Sequence, residues 1–323
     1  IARHFPGQPG EIAKQDRRRV LQPEDARGVL ALGAGDACLL HTLPQHPFHH
    51  RLDIDRRLGG VLRHGLAGES LIEHLGAGVA PEGLFLLMQP IMSLRSPLQS
   101  LNFEVLIRMR EPDGEILGGG QVISAAENNG RVAVIDRWVL ANTLAWLDAH
   151  RERLGNTQFA CINLSGGSLN DEKFIQDAFA MLAQYRRVAE RLCVEITESV
   201  ALNDLANTKR FIDGLRNFGA KVALDDFGAG YSNFTRLVEL RPQIVKIDRS
   251  IVVRAGSGSP EGLATMQATT DVARALHAQV LAEGVESNDE AEAVMRMGID
   301  LAQGYRYARP MSVPALIAFW SSR

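Results

Sequence analysis

From about Ala67 onward the chain alternates short apolar runs with amphipathic stretches of helical length. The apolar runs fall at residues 84–92, 102–109, 159–164, 192–197, 221–224, 244–247, 279–282 and 300–305, and each reads as a strand. Helical periodicity covers 132–153, 171–187, 205–218, 262–277 and 289–297. This alternation predicts parallel βαβ units. Eight strands over about 240 residues predict an α/β fold, a TIM-like (β/α)8 barrel. Residues 1–66 follow neither period, apart from 29–32 and 37–40, which read as paired strands. They form an additional N-terminal segment of unassigned fold, a linker or the remnant of an upstream domain, ahead of a barrel domain over 67–323. A doubly wound sheet is the competing architecture, but it has fewer strands and a Gly-rich first turn. No GxGxxG or Walker loop occurs, which argues against a nucleotide cofactor.

Composition narrows the class further. With 46% hydrophobic and 23% charged residues in 323, the chain is globular, not disordered, collagenous or coiled coil. A net charge of −3 gives no global reason for DNA binding, and a polyanionic substrate would need local help from cations. The first 66 residues hold ten Lys/Arg against seven Asp/Glu, so the remainder is the more acidic part. The run Arg17-Arg18-Arg19 reads as a solvated face. His46, His49 and His50 read as a loop and not a metal site, because Pro47 breaks any helix there. Cys38, Cys161 and Cys193 form no CxxC pair, which excludes a disulfide scaffold and a cysteine zinc site and indicates a reducing compartment. No apolar run approaches the roughly 18 residues needed to span a bilayer. Opening at Ile1 without a methionine, the sequence reads as a fragment, from which a membrane or sensory region could have been cut.

The chemistry lies in what ends each apolar run. Glu104 follows Leu101-Asn102-Phe103, and Asn163 closes Cys161-Ile162. Glu195 and Glu198 close Cys193-Val194; Asp225 and Asp226 follow Val222-Ala223-Leu224. Lys246 and Asp248 flank Ile247, Glu283 and Glu286 follow Val280-Leu281-Ala282, and Gln303 follows Leu301-Ala302. One polar residue at one strand end is ordinary surface. Seven such strands point instead to the C-terminal mouth of a barrel, where active sites are built. The doublet Asp225-Asp226 is costly unless a cation or a lysine compensates it.

Several oxygen ligands with one lysine suit hard divalent cations, Mg²⁺ or Mn²⁺. Asp225 is placed to bridge two ions, with Asp226 on the second, an arrangement suited to phosphodiester hydrolysis. Lys246 adds positive charge there, or positions and deprotonates the attacking water. The loop Asp225-Asp226-Phe227-Gly228-Ala229-Gly230-Tyr231-Ser232 has two glycines for a sharp turn and enters a helix with Ser232 as N-cap.

These residues resemble the EAL family of cyclic di-GMP phosphodiesterases over roughly residues 67–320. Its motifs occur in order: Gln89-Pro90-Ile91, Glu104-Val105-Leu106-Ile107-Arg108, Asn163-Leu164-Ser165, Glu195-Ile196-Thr197-Glu198-Ser199, the Asp225–Ser232 loop, Lys246-Ile247-Asp248-Arg249-Ser250, Glu283-Gly284-Val285-Glu286 and Gln303-Gly304-Tyr305. The resemblance implies a barrel that hydrolyses cyclic di-GMP to linear pGpG with two Mg²⁺ or Mn²⁺ ions and is inhibited by Ca²⁺. It matches Glu104, Asn163, Glu195 and Asp225 to ligands of the first metal and Asp226 to the second. Lys246 and Glu283 match catalytic groups near the attacking water. Glu198, counted with them, matches the anchor of the mobile loop. Gln89, Arg108 and Gln303 match substrate-binding groups, Arg108 being suited to a phosphate oxygen. Val105, Met109, Gly119, Val122, Ser124 and Ile251 depart from the family's usual alanine, tryptophan, proline, phenylalanine, proline and phenylalanine. Of these, Met109 and Gly119 bear on substrate grip.

The resemblance also implies a homodimer through the barrel, an upstream sensory or GGDEF domain, and a cytoplasmic location, free or as the cytoplasmic part of a membrane-anchored protein. Two other functions compete. One is a cyclic di-GMP receptor that keeps the fold without catalysis, which usually shows as a lost ligand or a broken Asp-Asp-Phe-Gly loop; neither occurs here. The other is an enolase-like or aldolase-like metal-dependent barrel, which explains acids at strand ends but not the ordered motifs.

Overall fold

The computed structural model of the protein describes residues 80–96, 101–228 and 234–321. The N-terminal segment 1–66, with its paired strands, histidine cluster and basic run, lies outside the described residues, as do Ala229 to Asn233 of the loop.

Nine strands follow in order: β1 Leu84–Ser93, β2 Asn102–Arg110, β3 Ile116–Leu117, β4 Ala160–Asn163, β5 Leu192–Thr197, β6 Lys221–Phe227, β7 Ile244–Ile247, β8 Gln279–Ala282 and β9 Leu301–Ala302. The sheet runs β1-β9-β8-β7-β6-β5-β4-β2-β3, and a β1–β2 pairing closes it. Eight strands make the barrel; β3 is a short addition beside β2. From β2 through β4 to β9 the neighbours are parallel, as the alternating pattern predicts.

The expectation of parallel units fails at β1, which is antiparallel to both β2 and β9. The link from Ser93 to Asn102 is too short for the crossover of a dozen or more residues that a parallel pair needs. A second correction concerns Glu104. It is the third residue of β2 and does not end its strand, because β2 pairs with β4 only over Phe103–Val105 and then continues alongside β1 and β3.

Each barrel strand is covered on both faces, so it is apolar nearly throughout. Outward-facing Val105, Ile162, Val194, Val222, Val245 and Val280 join the main core with the surrounding helices. The alternate positions Ile91, Phe159, Cys161, Cys193, Ala223, Ile244, Leu281 and Leu301 form a separate apolar cluster inside the barrel. Fully burying one such side chain contributes about 1.5–3 kcal/mol.

Helix Glu172–Gln184 buries Phe174, Ala178 and Leu182 at four-residue spacing, and Asp171 caps it by accepting from Phe174 N. Helix Asn288–Arg296 begins with a capping box between Ser287 and Glu290. Several helices exceed the sequence expectation. Gly119–Asn128 begins with Gly119-Gly120, which lowers helical propensity, and Gln121 Oε1 offsets this by accepting from Gly118 N. Arg249–Gly256 starts two residues after β7, so its pattern merges with the strand. Among the described residues no helix is long and apolar enough to cross a membrane.

Candidate active site

The inner apolar cluster is a floor, and the polar groups stand one step above it. Alternation places every second residue inside. Two residues beyond Cys161, Cys193, Ala223, Ile244, Leu281 and Leu301 come Asn163, Glu195, Asp225, Lys246, Glu283 and Gln303. On antiparallel β1 the same step runs backwards, from Ile91 to Gln89. Geometry therefore gathers into one layer residues that lie far apart in sequence.

Lys246 is 1% exposed and sits at the centre. Its Nζ lies 2.7 Å from Glu195 Oε2, 2.7 Å from Glu283 Oε1 and 3.1 Å from Asp225 Oδ1. Burial works against the ammonium charge, but the combined field of Glu104, Glu195, Glu283 and Asp225 exceeds it and holds Lys246 well above its ordinary value. Lys246 is thus a fixed cation. It supplies the compensation that the Asp225-Asp226 doublet requires.

The acids respond in the opposite sense. Burial pushes Glu195 well above the usual carboxylate range, the neighbouring Cys161 adds to this and Lys246 opposes it. Burial, with Asp225 and Glu104 adding and Lys246 opposing, pushes Glu283 up to about 8. Asp226 is also raised, by burial and then by Asp225 and Asp248. Together Glu104, Glu195, Asp225, Asp226 and Glu283 bring five carboxylates to one ammonium.

A second set of contacts orients Glu104. Its Oε1 accepts from Asn163 Nδ2 at 2.7 Å and its Oε2 from Gln303 Nε2 at 2.6 Å. Gln303 Nε2 also lies 3.2 Å from Gln89 Oε1, and Gln89 Nε2 donates to Ala308 O at 3.1 Å. Gln303 thus acts on Glu104 directly and Gln89 acts on it through Gln303, a role that spacing alone did not show. Gly304 fixes this corner: at φ +155°, any Cβ would lie 2.1 Å from Val285 O. There the backbone accepts only glycine, and Val285 N donates to Gln303 O across it.

The residues present fit a metal. Carboxylate oxygens of Asp225, Asp226 and Glu283 come within 4.8 Å of one another. Glu195 Oε1 and Gln303 Oε1 are buried beside the cluster without a hydrogen-bond partner. Orphaned acceptors on acids and amides are the chemistry of hard-cation sites.

Other expected residues stand apart. Arg108 donates through Nη1 to its neighbour's carbonyl, Ile107 O, at 2.7 Å, and the contacts do not bring it to the carboxylates. Glu198 is buried and opens the helix Glu198–Asn203 that follows β5. Asp248 caps the helix Arg249–Gly256, and Glu286 pairs with Arg249 at 2.6 Å on the surface. For these two the ordinary surface reading of a strand-end acid holds. Met109 is 1% exposed within the core, on the face of β2 opposite Glu104, so it has no place in gripping a substrate.

A family profile described as the EAL domain matches residues 75–310. The chain belongs to the EAL domain family. The EAL domain is 31% identical over 241 residues to the cyclic di-GMP phosphodiesterase PdeF of Escherichia coli, covering 75% of this chain and 32% of that protein. Among solved structures it is similar to the FimX EAL domain from Pseudomonas aeruginosa bound to c-di-GMP, at 27% identity and a TM-score of 0.66, over 75% of this chain and 95% of that one. It is similar also to the PaMucR phosphodiesterase in complex with c-di-GMP, at 26% identity and a TM-score of 0.67, over 76% and 99% of the two chains. The chain spans half or less of the length of the curated relatives it matches.

Proposed function

We propose that this EAL domain hydrolyses cyclic di-GMP to linear pGpG with two divalent cations, Mg²⁺ or Mn²⁺. The observation that carries the reading is the buried, charged Lys246 paired with Glu195, Asp225 and Glu283, with the orphaned oxygen of Glu195 beside it. Relatives named cyclic di-GMP phosphodiesterases and a solved phosphodiesterase complex with c-di-GMP support the substrate.

In this reading Glu104, Asn163, Glu195 and Asp225 would hold one cation, and Asp226 would hold the second. The ions supply an ionised water at neutral pH and neutralise charge on the phosphodiester. Water adds to phosphorus, the P–O3′ bond breaks, and the single linear product carries a 5′-phosphate and a 3′-hydroxyl. Lys246 stays protonated and adds positive charge beside the reacting phosphate, which leaves proton transfer to a carboxylate. Glu283, 20% exposed and in contact with Lys246, is the acid placed for it. Arg108 serves a substrate phosphate by exchanging its bond to Ile107 O for a phosphate oxygen. Glu198 anchors the loop that carries Asp225 and Asp226. The reading extends to a homodimer through the barrel, to residues 1–66 as a linker or the remnant of an upstream sensory or GGDEF domain, and to the cytoplasm, free or below a membrane anchor.

The test is product formation from cyclic di-GMP with Mg²⁺, Mn²⁺, Ca²⁺ or excess chelator. Turnover to pGpG is expected with Mg²⁺ and Mn²⁺ alone; Ca²⁺, larger and more loosely coordinated, holds substrate without aligning the water. Undiminished turnover in chelator would overturn the metal reading. Tight binding without turnover would make the domain a receptor.

A further inference from the structure

Asp136 is an acidic residue on the buried face of the helix Val132–Ala149, 3% exposed, where it shares that face with Val132, Ile135, Val139 and Leu140. Burying a carboxylate is costly unless it is hydrogen-bonded. A helix that needed only packing would carry an apolar residue here. What the carboxylate adds is direction. Its Oδ2 accepts two hydrogen bonds, from Ser165 N at 2.9 Å and from Ser168 Oγ at 2.6 Å.

Those two donors belong to the segment that leaves β4. Ser165 is the N-cap of the short helix Gly166–Leu169, and Ser168 N and Leu169 N both donate to Ser165 O. Close packing fixes the same segment against the helix: a Cβ at Gly167 would lie 2.8 Å from Val132 Cγ1. On the opposite side, Leu164 N donates to Glu195 O at 3.0 Å. The backbone just past Asn163 is thus held between Glu195 on β5 and Asp136 on the helix.

Asn163 lies immediately before this clamp and is itself exposed. Its Nδ2 donates to Glu104 Oε1, so its carbonyl oxygen is the end left for a cation. An exposed side chain at a strand end keeps that orientation only if its backbone does not shift. Ligand supports of this kind are worth about 10–100-fold in metal affinity.

We propose that Asp136 is a positioning residue of the metal site: through Ser165 and Ser168 it fixes the exit of β4 and so the aim of Asn163. The inference rests on the metal-dependent reading above. It adds a residue outside the mouth that touches neither ion nor substrate.

The test measures Mn²⁺ binding by calorimetry to the chelator-treated protein, with the thermal midpoint recorded in chelator. Four proteins are compared: wild type, Asp136→Asn, Asp136→Ala and Ser168→Ala. Asparagine keeps an oxygen that accepts the same two donors, so Asp136→Asn should bind Mn²⁺ within about twofold of wild type. Asp136→Ala should bind about tenfold more weakly, or worse, and Ser168→Ala should fall between. Excess Mn²⁺ should restore the turnover of Asp136→Ala, with the KM for cyclic di-GMP unchanged. A folded Asp136→Ala protein with wild-type Mn²⁺ affinity would overturn the proposal. If Asp136→Ala does not fold, wild-type affinity in Ser168→Ala would overturn it. Failure of the wild type itself to bind Mn²⁺ would instead sink the metal-dependent function, and the proposal with it.

Discussion

Asp225 and Asp226 are adjacent in sequence, yet both bring carboxylate oxygens to Glu283 at the barrel mouth. A regular strand would send them to opposite faces. Asp226 takes a left-handed φ of +54°, and the β6–β7 pairing is irregular between Leu224 and Phe227. A non-glycine residue in that region costs about 1 kcal/mol or more. The strain is located where two neighbouring acids must face one way.

Glu104→Ala and Asp225→Asn should each reduce turnover of cyclic di-GMP by at least about 100-fold while the fold survives. Both remove one oxygen ligand from the ring, and Asp225→Asn leaves the side-chain shape intact. Steady-state rates, set beside circular dichroism, decide the matter. Near wild-type rates in either folded variant would mean that the metal ligands lie elsewhere.

Lys246→Met should destabilise the metal-free protein by about 3–5 kcal/mol, because it strands buried carboxylates without their cation. Mg²⁺ should recover part of the loss, since divalent ions replace the missing charge. Calorimetric melting in chelator and in Mg²⁺ provides the comparison. Equal melting temperatures for variant and wild type in chelator would show that the ion-pair cluster contributes no stability.

Glu198→Ala should lower activity at limiting metal and regain part of it in excess Mg²⁺ or Mn²⁺. A lost anchor reduces the population of the competent loop and weakens apparent metal affinity by the same fraction. Metal titrations of turnover for the two proteins test this. Superimposable curves would show that Glu198 does not position the loop.

Gly304→Ala should cost several kcal/mol, since its Cβ meets the Val285 backbone at 2.1 Å. Gly120→Ala is the control: it lies in the helix Gly119–Asn128, its Cβ meets nothing within 4 Å, and it should stabilise by about 0.4–1 kcal/mol. Denaturant midpoints of opposite sign are expected. A neutral Gly304→Ala would mean that the turn holding Gln303 relaxes freely.

Asp136 gives the fold a pH dependence. Burial raises its carboxyl from 3.8 to about 6, against the Ser168 and Ser165 hydrogen bonds and with a small addition from Glu127. A folded value above the unfolded one means that the native state holds the proton more tightly. The associated stability is complete below pH 4 and is lost as the pH rises towards about 6, by up to about 3 kcal/mol. Unfolding free energies of wild type and Asp136→Asn across pH 4–7 should therefore diverge, with the wild type falling relative to the variant. Parallel profiles would show that Asp136 titrates at its ordinary value.

Sequence alone determined the strands, the barrel and the roster of acids. Strand length, apolar runs and the polar residue at or near the end of each run are local properties, and alternation carries them directly into three dimensions. Tertiary structure decided the rest. It reversed β1, because Ser93 and Asn102 are too close in sequence for a crossover. It placed Lys246 among three carboxylates, two on other strands and one just past a third, a meeting that no spacing encodes. It turned Gln303 onto Glu104 with Gln89 behind it, left Arg108 against its own neighbour's carbonyl, and moved Met109 into the core. Asp136 carried no signal in the sequence beyond its place in the helical stretch 132–153. Its partners, Ser165 and Ser168, lie about thirty residues on and meet it only when the segment leaving β4 packs on the helix, and packing is non-local.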